Sequence, residues 1–264
     1  SSSYLYFMRG SDSRTSLFKL MGDLVYWVAN AALPEQAGVL LGCGELAAFF
    51  KGPPPTDRIR PVNGGCALAK WGLSLVLRAP QVMAALKRLN NLQLGIGYKR
   101  GIEVAIHVCR AMMEDGQALL SLDITNAFNE VGRHVMFLEV NRLCPCLNPY
   151  AEAFYRTESL CFYWVDGEPV VIRSAEGSRM GCLLGCILFV IAVHRAFCAY
   201  AEESPISSMH GKTLAIVDDV NSTLRPPNEP HHHRDWLLKV LRSVEFLKDA
   251  LEPLGLELSS PSAY

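Results

Sequence analysis

The sequence predicts an α+β fold with a mostly antiparallel sheet. From Ala118 onward the expected elements alternate irregularly, in the order strand, helix, helix, strand, strand, helix, strand, helix, strand. Two runs rich in β-branched and aromatic residues flank Asp166-Gly167, which is a hairpin signal. Half of the 264 residues are hydrophobic and 19% are charged, so the chain is able to bury a sizeable core.

Periodic patterns predict mainly helices in the N-terminal part of the chain. Apolar residues recur at helical spacing in four segments, which predict helices over residues 14–33, on either side of Pro80 within residues 66–90, and over residues 102–114. Pro34 ends the first of them. Two glycine-rich, basic segments, residues 51–65 and 93–101, are expected to be loops.

The C-terminal part combines strands and helices around the hairpin. The expected elements are a strand over 118–125, helices over 131–143, 150–158, 181–200 and 234–251, a strand over 213–217, and a closing strand at "LELS". The most apolar run, "CLLGCILFVIAV", is about a dozen residues long, whereas spanning a bilayer takes about 20. We therefore expect a buried helix there and no membrane association.

Charge and cysteine content limit the classes of function. The net charge is −1, so any binding of nucleic acid must depend on local basic loops. Nine cysteines are spread along the chain, and the pairs Cys144/Cys146 and Cys182/Cys186 lack zinc-site spacing with matching partners. We interpret them as reduced thiols of an intracellular protein, and no signal peptide is visible. Residues 231–233, three histidines in a Pro-rich loop, are expected to be solvated.

Three acidic residues follow predicted strands. Asp123 ends the strand "ALLSLD", and Asp218 and Asp219 interrupt the apolar stretch "LAIVDDVNS". Taken singly, Asp123 fits an N-cap of the next helix, and the pair fits a turn at the end of a strand. Strands of one sheet can also bring the three together, and convergent carboxylates repel one another unless cations neutralise them. Hard divalent cations such as Mg²⁺ take these oxygen ligands, and two ions about 4 Å apart serve in-line phosphoryl transfer.

Glycine recurs every four residues in "EGSRMGCLLGCILF", at Gly177, Gly181 and Gly185. On a helix these glycines would form one stripe without side chains, where another backbone or a ligand approaches closely. A tightly packed core helix explains the same pattern, so the glycines alone leave both interpretations open.

In this order and spacing, the three segments resemble the palm of a reverse transcriptase, most closely the retrotransposon type. "LDITNAFNEV" is similar to the first carboxylate motif of that family, and "IVDD" is similar to its paired-Asp turn. "EGSRMGCLLGCILF" aligns without gaps on the pattern Gly-x-x-Gln-Gly-x-Pro-x-Gly-Pro-x-x-Phe. The segments "KGPPPTDRIRPVNGG" and "QLGIGYKRG" resemble the fingers and the stretch before the palm, so the resemblance covers about residues 45–225.

The resemblance implies a polymerase right-hand fold with fingers and palm, in which helices back an antiparallel palm sheet. Residues 1–117 would form an N-terminal extension and fingers-like region, and residues 118–264 a palm-like region without a thumb. The residues that match functional positions of the family are the catalytic, metal-binding carboxylates Asp123, Asp218 and Asp219, and the nucleotide-binding Lys51, Arg60, Phe128 and Gly181. In the family, the bulky residue matched by Phe128 packs against the ribose and excludes a 2′-hydroxyl.

The same resemblance implies an RNA-directed DNA polymerase that adds dNTPs to a primer 3′-hydroxyl with two Mg²⁺ or Mn²⁺ ions. Its expected partners are an RNA template, a DNA primer and dNTP. The chain departs from the family pattern at Met180, which replaces a Gln, and at Leu183 and Cys186, which replace prolines; the late Lys is absent from "ELSSPSAY". Two alternatives therefore stand beside it: a catalytically inactive, degenerate palm that binds nucleic acid or protein, and another two-metal enzyme on a similar sheet, such as a nucleotide cyclase.

Overall fold

The computed structural model of the chain describes residues 11–50, 52, 59–89 and 91–259. These residues form a mixed α+β fold with antiparallel strand pairs, as predicted. The helices are α1 (Ser11–Ala29), α2 (Glu35–Gly42), α3 (Ala67–Leu77), α4 (Pro80–Lys87), α5 (Gly101–Glu114), α6 (Ala127–Glu130), α7 (Arg133–Leu143), α8 (Asn148–Tyr155), α9 (Leu183–Glu203) and α10 (His233–Leu251). The strands are β1 (Gly44–Phe50), β2 (Ile59–Gly65), β3 (Ala118–Leu122), β4 (Ile124–Thr125), β5 (Ser159–Val165), β6 (Glu168–Ser174), β7 (Thr213–Ile216), β8 (Asp219–Leu224) and β9 (Glu257–Leu258).

The chain divides into two compact units. The first comprises residues up to 79, 149–175 and 181–183, and the second comprises residues 80–148, 176–180 and 184 onward. This division differs from the expected regions 1–117 and 118–264, because the hairpin β5–β6 joins the sheet that contains β1 and β2. The assignment of those regions as fingers-like and palm-like stays a prediction.

The first unit is built on a sheet with the strand order β2-β1-β5-β6. β1 and β2 pair antiparallel from Gly44 with Gly65 to Phe50 with Ile59. The expectation that residues 51–65 are all loop is therefore wrong for Ile59–Gly65. Pro61 has no N–H to donate to a ladder, and it is tolerated because β2 lies at the edge of the sheet.

The predicted hairpin lies in the same sheet. β5 and β6 pair antiparallel along their whole length, and Val165 faces Glu168 across a two-residue turn. Both turn residues have a positive φ, +51° at Asp166 and +87° at Gly167. This is the type I′ geometry that Asp-Gly favours, so the sequence signal is confirmed.

The second unit contains a three-stranded sheet with the order β3-β8-β7 and a separate pair, β4 with β9. All of these strand pairs are antiparallel. The strand expected over residues 118–125 is thus interrupted at Asp123, where the chain leaves the three-stranded sheet after β3 and enters the pair of β4 with β9. Asp123 lies at that break between β3 and β4.

Helix α9 forms the core of the second unit. Its buried residues include Leu184, Leu188, Phe189, Val193 and Tyr200. Among the described residues, it is the one helix long and apolar enough to cross a membrane, but 67% of its most apolar 18-residue window is buried inside the protein. The run therefore forms a buried core helix, as predicted.

The glycine pattern before α9 does not continue the helix. Gly177 and Gly181 have φ values of +64° and +91°, which a right-handed helix does not contain. The helix begins at Leu183, so of the three glycines only Gly185 is helical. The three glycines therefore do not form the helical stripe that both interpretations of the spacing assumed, because Gly177 and Gly181 belong to a loop.

Candidate active site

The three aspartates meet at one end of the β3-β8-β7 sheet. Leu122 pairs with Val220 at the end of β3, which places Asp123 next to Asp219 at the start of β8. The hairpin β7–β8 closes with Ile216 opposite Asp219, and its two turn residues are Val217 and Asp218. Strand register and a tight turn therefore bring the carboxylate of Asp123 to those of Asp218 and Asp219, although Asp123 lies 95 residues before Asp218 in the sequence.

The electrostatics show that these carboxylates affect one another. Partial desolvation raises the pKa of Asp219, and the negative charges of Asp218 and Asp123 raise it further. Burial raises the pKa of the Cys186 thiol to about 11, and the Asp218 carboxylate contributes to that shift. A cation at this end of the sheet would relieve the repulsion, because it favours the ionised form of every carboxylate near it.

Asp123 is held in place by the closing strand. The short pairing of β4 with β9 carries Ser259 to Asp123, whose carbonyl oxygen accepts a hydrogen bond from the Ser259 N–H at 2.8 Å. The Ser259 hydroxyl donates to Asp123 Oδ2 at 3.1 Å and lies 3.2 Å from the Thr125 hydroxyl. The segment just after β9, which lacks the Lys of the family pattern, thus supplies a hydroxyl to a carboxylate of the site.

Phe128 lies five residues after Asp123, on the single-turn helix α6. Its ring is half-buried and packs on Phe189 of α9, with the ring centroids 4.8 Å apart. Its carbonyl oxygen accepts a hydrogen bond from the Ser178 N–H at 2.6 Å. The Phe128 ring is therefore positioned by both the core helix and the loop that precedes it.

That loop packs closely against the backbone of α6 and accepts hydrogen bonds from the side chain of Arg133 on α7. A Cβ added to Gly177 would lie 2.5 Å from the Phe128 carbonyl oxygen and closer still to that of Asn129. Arg133 Nε donates to the Gly177 carbonyl oxygen at 3.0 Å, and its Nη2 donates to that of Glu176 at 3.2 Å. Only a glycine fits this approach, which explains Gly177 without any ligand.

The positions that depart from the family pattern surround the same loop. Met180 is half-buried and Leu183 is exposed. Cys186 is half-buried and near enough to Asp218 for the carboxylate to raise the pKa of its thiol. A Cβ on Gly181 would lie 2.5 Å from the Asn63 carbonyl oxygen, so packing within the first unit already requires a glycine there.

Of the two expected basic residues, Arg60 belongs to the first unit. Arg60 lies exposed on β2, opposite Phe49. Lys51 lies outside the described residues. Their roles at the triphosphate stay predictions.

The histidine loop contains a small cluster of its own. His231 Nε2 lies 3.0 Å from Glu229 Oε2, and His232 Nδ1 lies 3.7 Å from the same oxygen. One ligand atom from each of the three residues falls within 4.8 Å of the others, a spacing compatible with a metal ion. All three side chains are exposed, in agreement with the expected solvated loop.

No protein-family model matches the sequence, and no curated protein matches it either. Solved structures with a similar fold include telomerases of Candida tropicalis. The apo enzyme truncated from its C-terminal domain has a TM-score of 0.51 and 11% identity, with 94% of this chain and 56% of that chain covered. The apo enzyme has a TM-score of 0.54 and 11% identity, with 92% and 48% covered. The complex with a TWJ fragment of telomeric RNA has a TM-score of 0.54 and 10% identity, with 96% and 46% covered.

The chain has a reverse-transcriptase-like fold. It spans about half the length of the telomerases that it matches. At 10–11% identity the likeness establishes the fold alone. The expected polymerase-type fold is thus confirmed, while the activity, the retrotransposon type, the metal ions and the roles of the site residues remain predictions.

Proposed function

We propose that this chain is an RNA-directed DNA polymerase domain of the retrotransposon type, which adds dNTPs to the 3′-hydroxyl of a primer. The observation that carries the proposal is the meeting of Asp123, Asp218 and Asp219 at one end of a sheet in a reverse-transcriptase-like fold. One of the similar structures is a telomerase in complex with a TWJ fragment of telomeric RNA, which supports RNA among the partners of this chain.

The three carboxylates offer the kind of ligand that hard divalent cations take, although their oxygens do not all lie within 4.8 Å of one another. They supply only oxygen ligands, and their mutual repulsion, visible in the raised pKa of Asp219, is the condition that a cation relieves. Asp123 and Asp218 would hold the metal ions, with Asp219 as a further ligand. When bound, Mg²⁺ or Mn²⁺ lowers the pKa of the primer hydroxyl and neutralises charge on the phosphates.

The remaining residues would bind and orient the substrates. The Phe128 ring would pack under the sugar of the dNTP and leave no room for a 2′-hydroxyl. The exposed Lys99 and Arg100 would contact backbone phosphates of the template and primer. A bond forms between the primer 3′-oxygen and the α-phosphorus, the bond to the bridging oxygen breaks, and pyrophosphate leaves while the hydroxyl proton passes to water.

Primer extension on an RNA template tests this proposal directly. The wild-type chain is assayed with dNTPs and Mg²⁺ or Mn²⁺ beside the double variant Asp218→Ala/Asp219→Ala. Asp249→Ala is the matched control, because Asp249 is an exposed aspartate on α10. We expect extension by the wild type and the control and none by the double variant, and equal signal from the wild type and the double variant would refute the proposal.

The departures at Met180, Leu183 and Cys186 favour a second candidate, a degenerate domain that binds nucleic acid or protein without catalysis. A methionine cannot make the hydrogen bonds of the amide that the family pattern has at position 180. This candidate predicts that Mn²⁺ with dNTP leaves the melting temperature unchanged. A rise in melting temperature that is lost in the Asp218→Ala/Asp219→Ala variant would exclude it.

A further inference from the structure

The turn that carries Asp218 contains a strained residue. Val217 has a φ of +59°, in the region that L-residues rarely adopt and where a β-branched residue is an outlier. It occupies the first of the two turn positions, and Asp218, at the second, has no positive φ. This is the pattern of a type II′ turn, whose first position normally belongs to glycine.

The side chain of Gln93 binds both backbone polar groups of this residue. Its Oε1 accepts a hydrogen bond from the Val217 N–H at 2.8 Å, and its Nε2 donates to the Val217 carbonyl oxygen at 3.1 Å. Oε1 also accepts from the Gly95 N–H at 2.9 Å, which fixes the orientation of the amide. Gln93 is only 1% exposed, so water does not compete for these bonds.

The backbone around Gln93 brings this amide to the turn. Leu94 N–H donates to the Ala215 carbonyl oxygen at 2.8 Å, and Ala215 N–H donates to that of Leu92 at 2.9 Å. Gln93 thereby forms a parallel bridge with Ala215 on β7. A Cβ on Gly95 would lie 2.8 Å from Val217 Cγ2, so the segment fits only with glycine at that position.

We infer that Gln93 is a positioning residue for Asp218. Its amide holds Val217 in the left-handed conformation, and the conformation of Val217 sets the direction in which the next residue, Asp218, leaves the turn. The consequence for catalysis rests on the proposed function, whereas the effect on the turn does not. Without the amide, Val217 would relax toward a negative φ, and the Asp218 carboxylate would move relative to Asp123 and Asp219.

The variant Gln93→Met removes the amide and keeps the length of the side chain. Gln117→Met is the matched control, since Gln117 is also buried in the second unit but its amide donates to Met112 Sδ, at 3.3 Å. In Gln93→Met we expect faster exchange of the Val217 amide hydrogen and a shifted carboxyl carbon resonance of Asp218. We expect neither change in Gln117→Met. Unchanged Val217 exchange and an unchanged Asp218 resonance in Gln93→Met would overturn the inference.

Binding and kinetics separate positioning from a merely structural role. In Gln93→Met the Mn²⁺ affinity, followed by electron paramagnetic resonance, and kcat should each fall by about tenfold or more, while KM for dNTP changes less than about twofold. The loss should shrink in the Val217→Gly background, because glycine adopts a positive φ without help. An equal loss in both backgrounds would show that Gln93 does not act through Val217. If the wild type neither binds Mn²⁺ nor extends a primer, the proposed function fails, and the exchange and resonance measurements still decide the inference.

Discussion

The close approach of the Gly177 loop to α6 predicts a large effect for Gly177→Ala. Gly177 has a φ of +64°, and holding an alanine there costs about 1–2 kcal/mol. The added Cβ would lie 2.5 Å from the Phe128 carbonyl oxygen, and its nearest neighbours are all backbone atoms of Phe128 and Asn129, which cannot move aside as a flexible side chain would. Overpacking of this kind costs about 1–3 kcal/mol, so the free energy of unfolding should fall by about 2–5 kcal/mol.

Gly116→Ala isolates the steric part of that effect. Gly116 also has a positive φ, +79°, and belongs to the same unit, but nothing lies within 4 Å of its added Cβ. It should therefore lose only the conformational part, about 1–2 kcal/mol. Urea unfolding followed by circular dichroism measures both variants against the wild type. If the two variants differ by less than about 0.5 kcal/mol, the tight packing of Gly177 against α6 is refuted.

Three further predictions concern the site itself. Asp219→Asn should raise the melting temperature at pH 7 in the absence of metal. The pKa of Asp219 is higher in the folded protein than its ordinary value of 3.8, so the wild-type protein loses stability as the pH rises above 3.8 and this carboxyl ionises. The difference in melting temperature between Asp219→Asn and the wild type should vanish as the pH falls toward 3.8. A difference that does not change with pH would contradict the raised pKa of Asp219. Iodoacetamide should alkylate Cys186 slowly at about pH 8, because burial raises the pKa of its thiol. Asp218→Asn should speed the reaction by removing a neighbouring negative charge, and an unchanged rate would argue against the proximity of Cys186 to Asp218. Phe128→Ala should increase ribonucleotide incorporation relative to deoxyribonucleotide by about tenfold, measured by primer extension with each nucleotide, and an unchanged ratio would exclude Phe128 as the sugar-sensing residue.

The parts of the fold that are encoded locally could be predicted from the sequence. The hairpin at Asp166-Gly167 follows from turn chemistry, and α9 follows from an apolar run too long for a strand. β2 could not be predicted in this way, because its Pro and Gly content signals a loop. It becomes a strand through pairing with β1 and through its edge position, and neither is visible in a local window.

The residues of the candidate site also differ in whether local sequence reveals them. The aspartates stand out because two adjacent acids interrupt an apolar strand, and the strand ends are local signals. Gln93 could not be found, because its role depends on a contact with Val217, 124 positions away. The four-residue spacing of Gly177, Gly181 and Gly185 does not predict their structure, because spacing carries no information about φ. The polar segment "EGSRMG" before the apolar run is the feature of the sequence that indicates a loop.

Two features of the turn reduce the stability of the metal-free protein. Val217 is held at a positive φ, which costs on the order of 1–3 kcal/mol, and Asp219 ionises against two neighbouring negative charges. Neither feature helps the sheet to form, because a glycine at Val217 and an asparagine at Asp219 would satisfy the same backbone. Strain and like-charge repulsion are expected where a cation is to be bound, since the cation removes the repulsion and uses the fixed geometry. A module that only binds a partner would gain nothing from either feature, so the turn favours the metal-dependent polymerase over the degenerate domain even though position 180 lacks the family's amide.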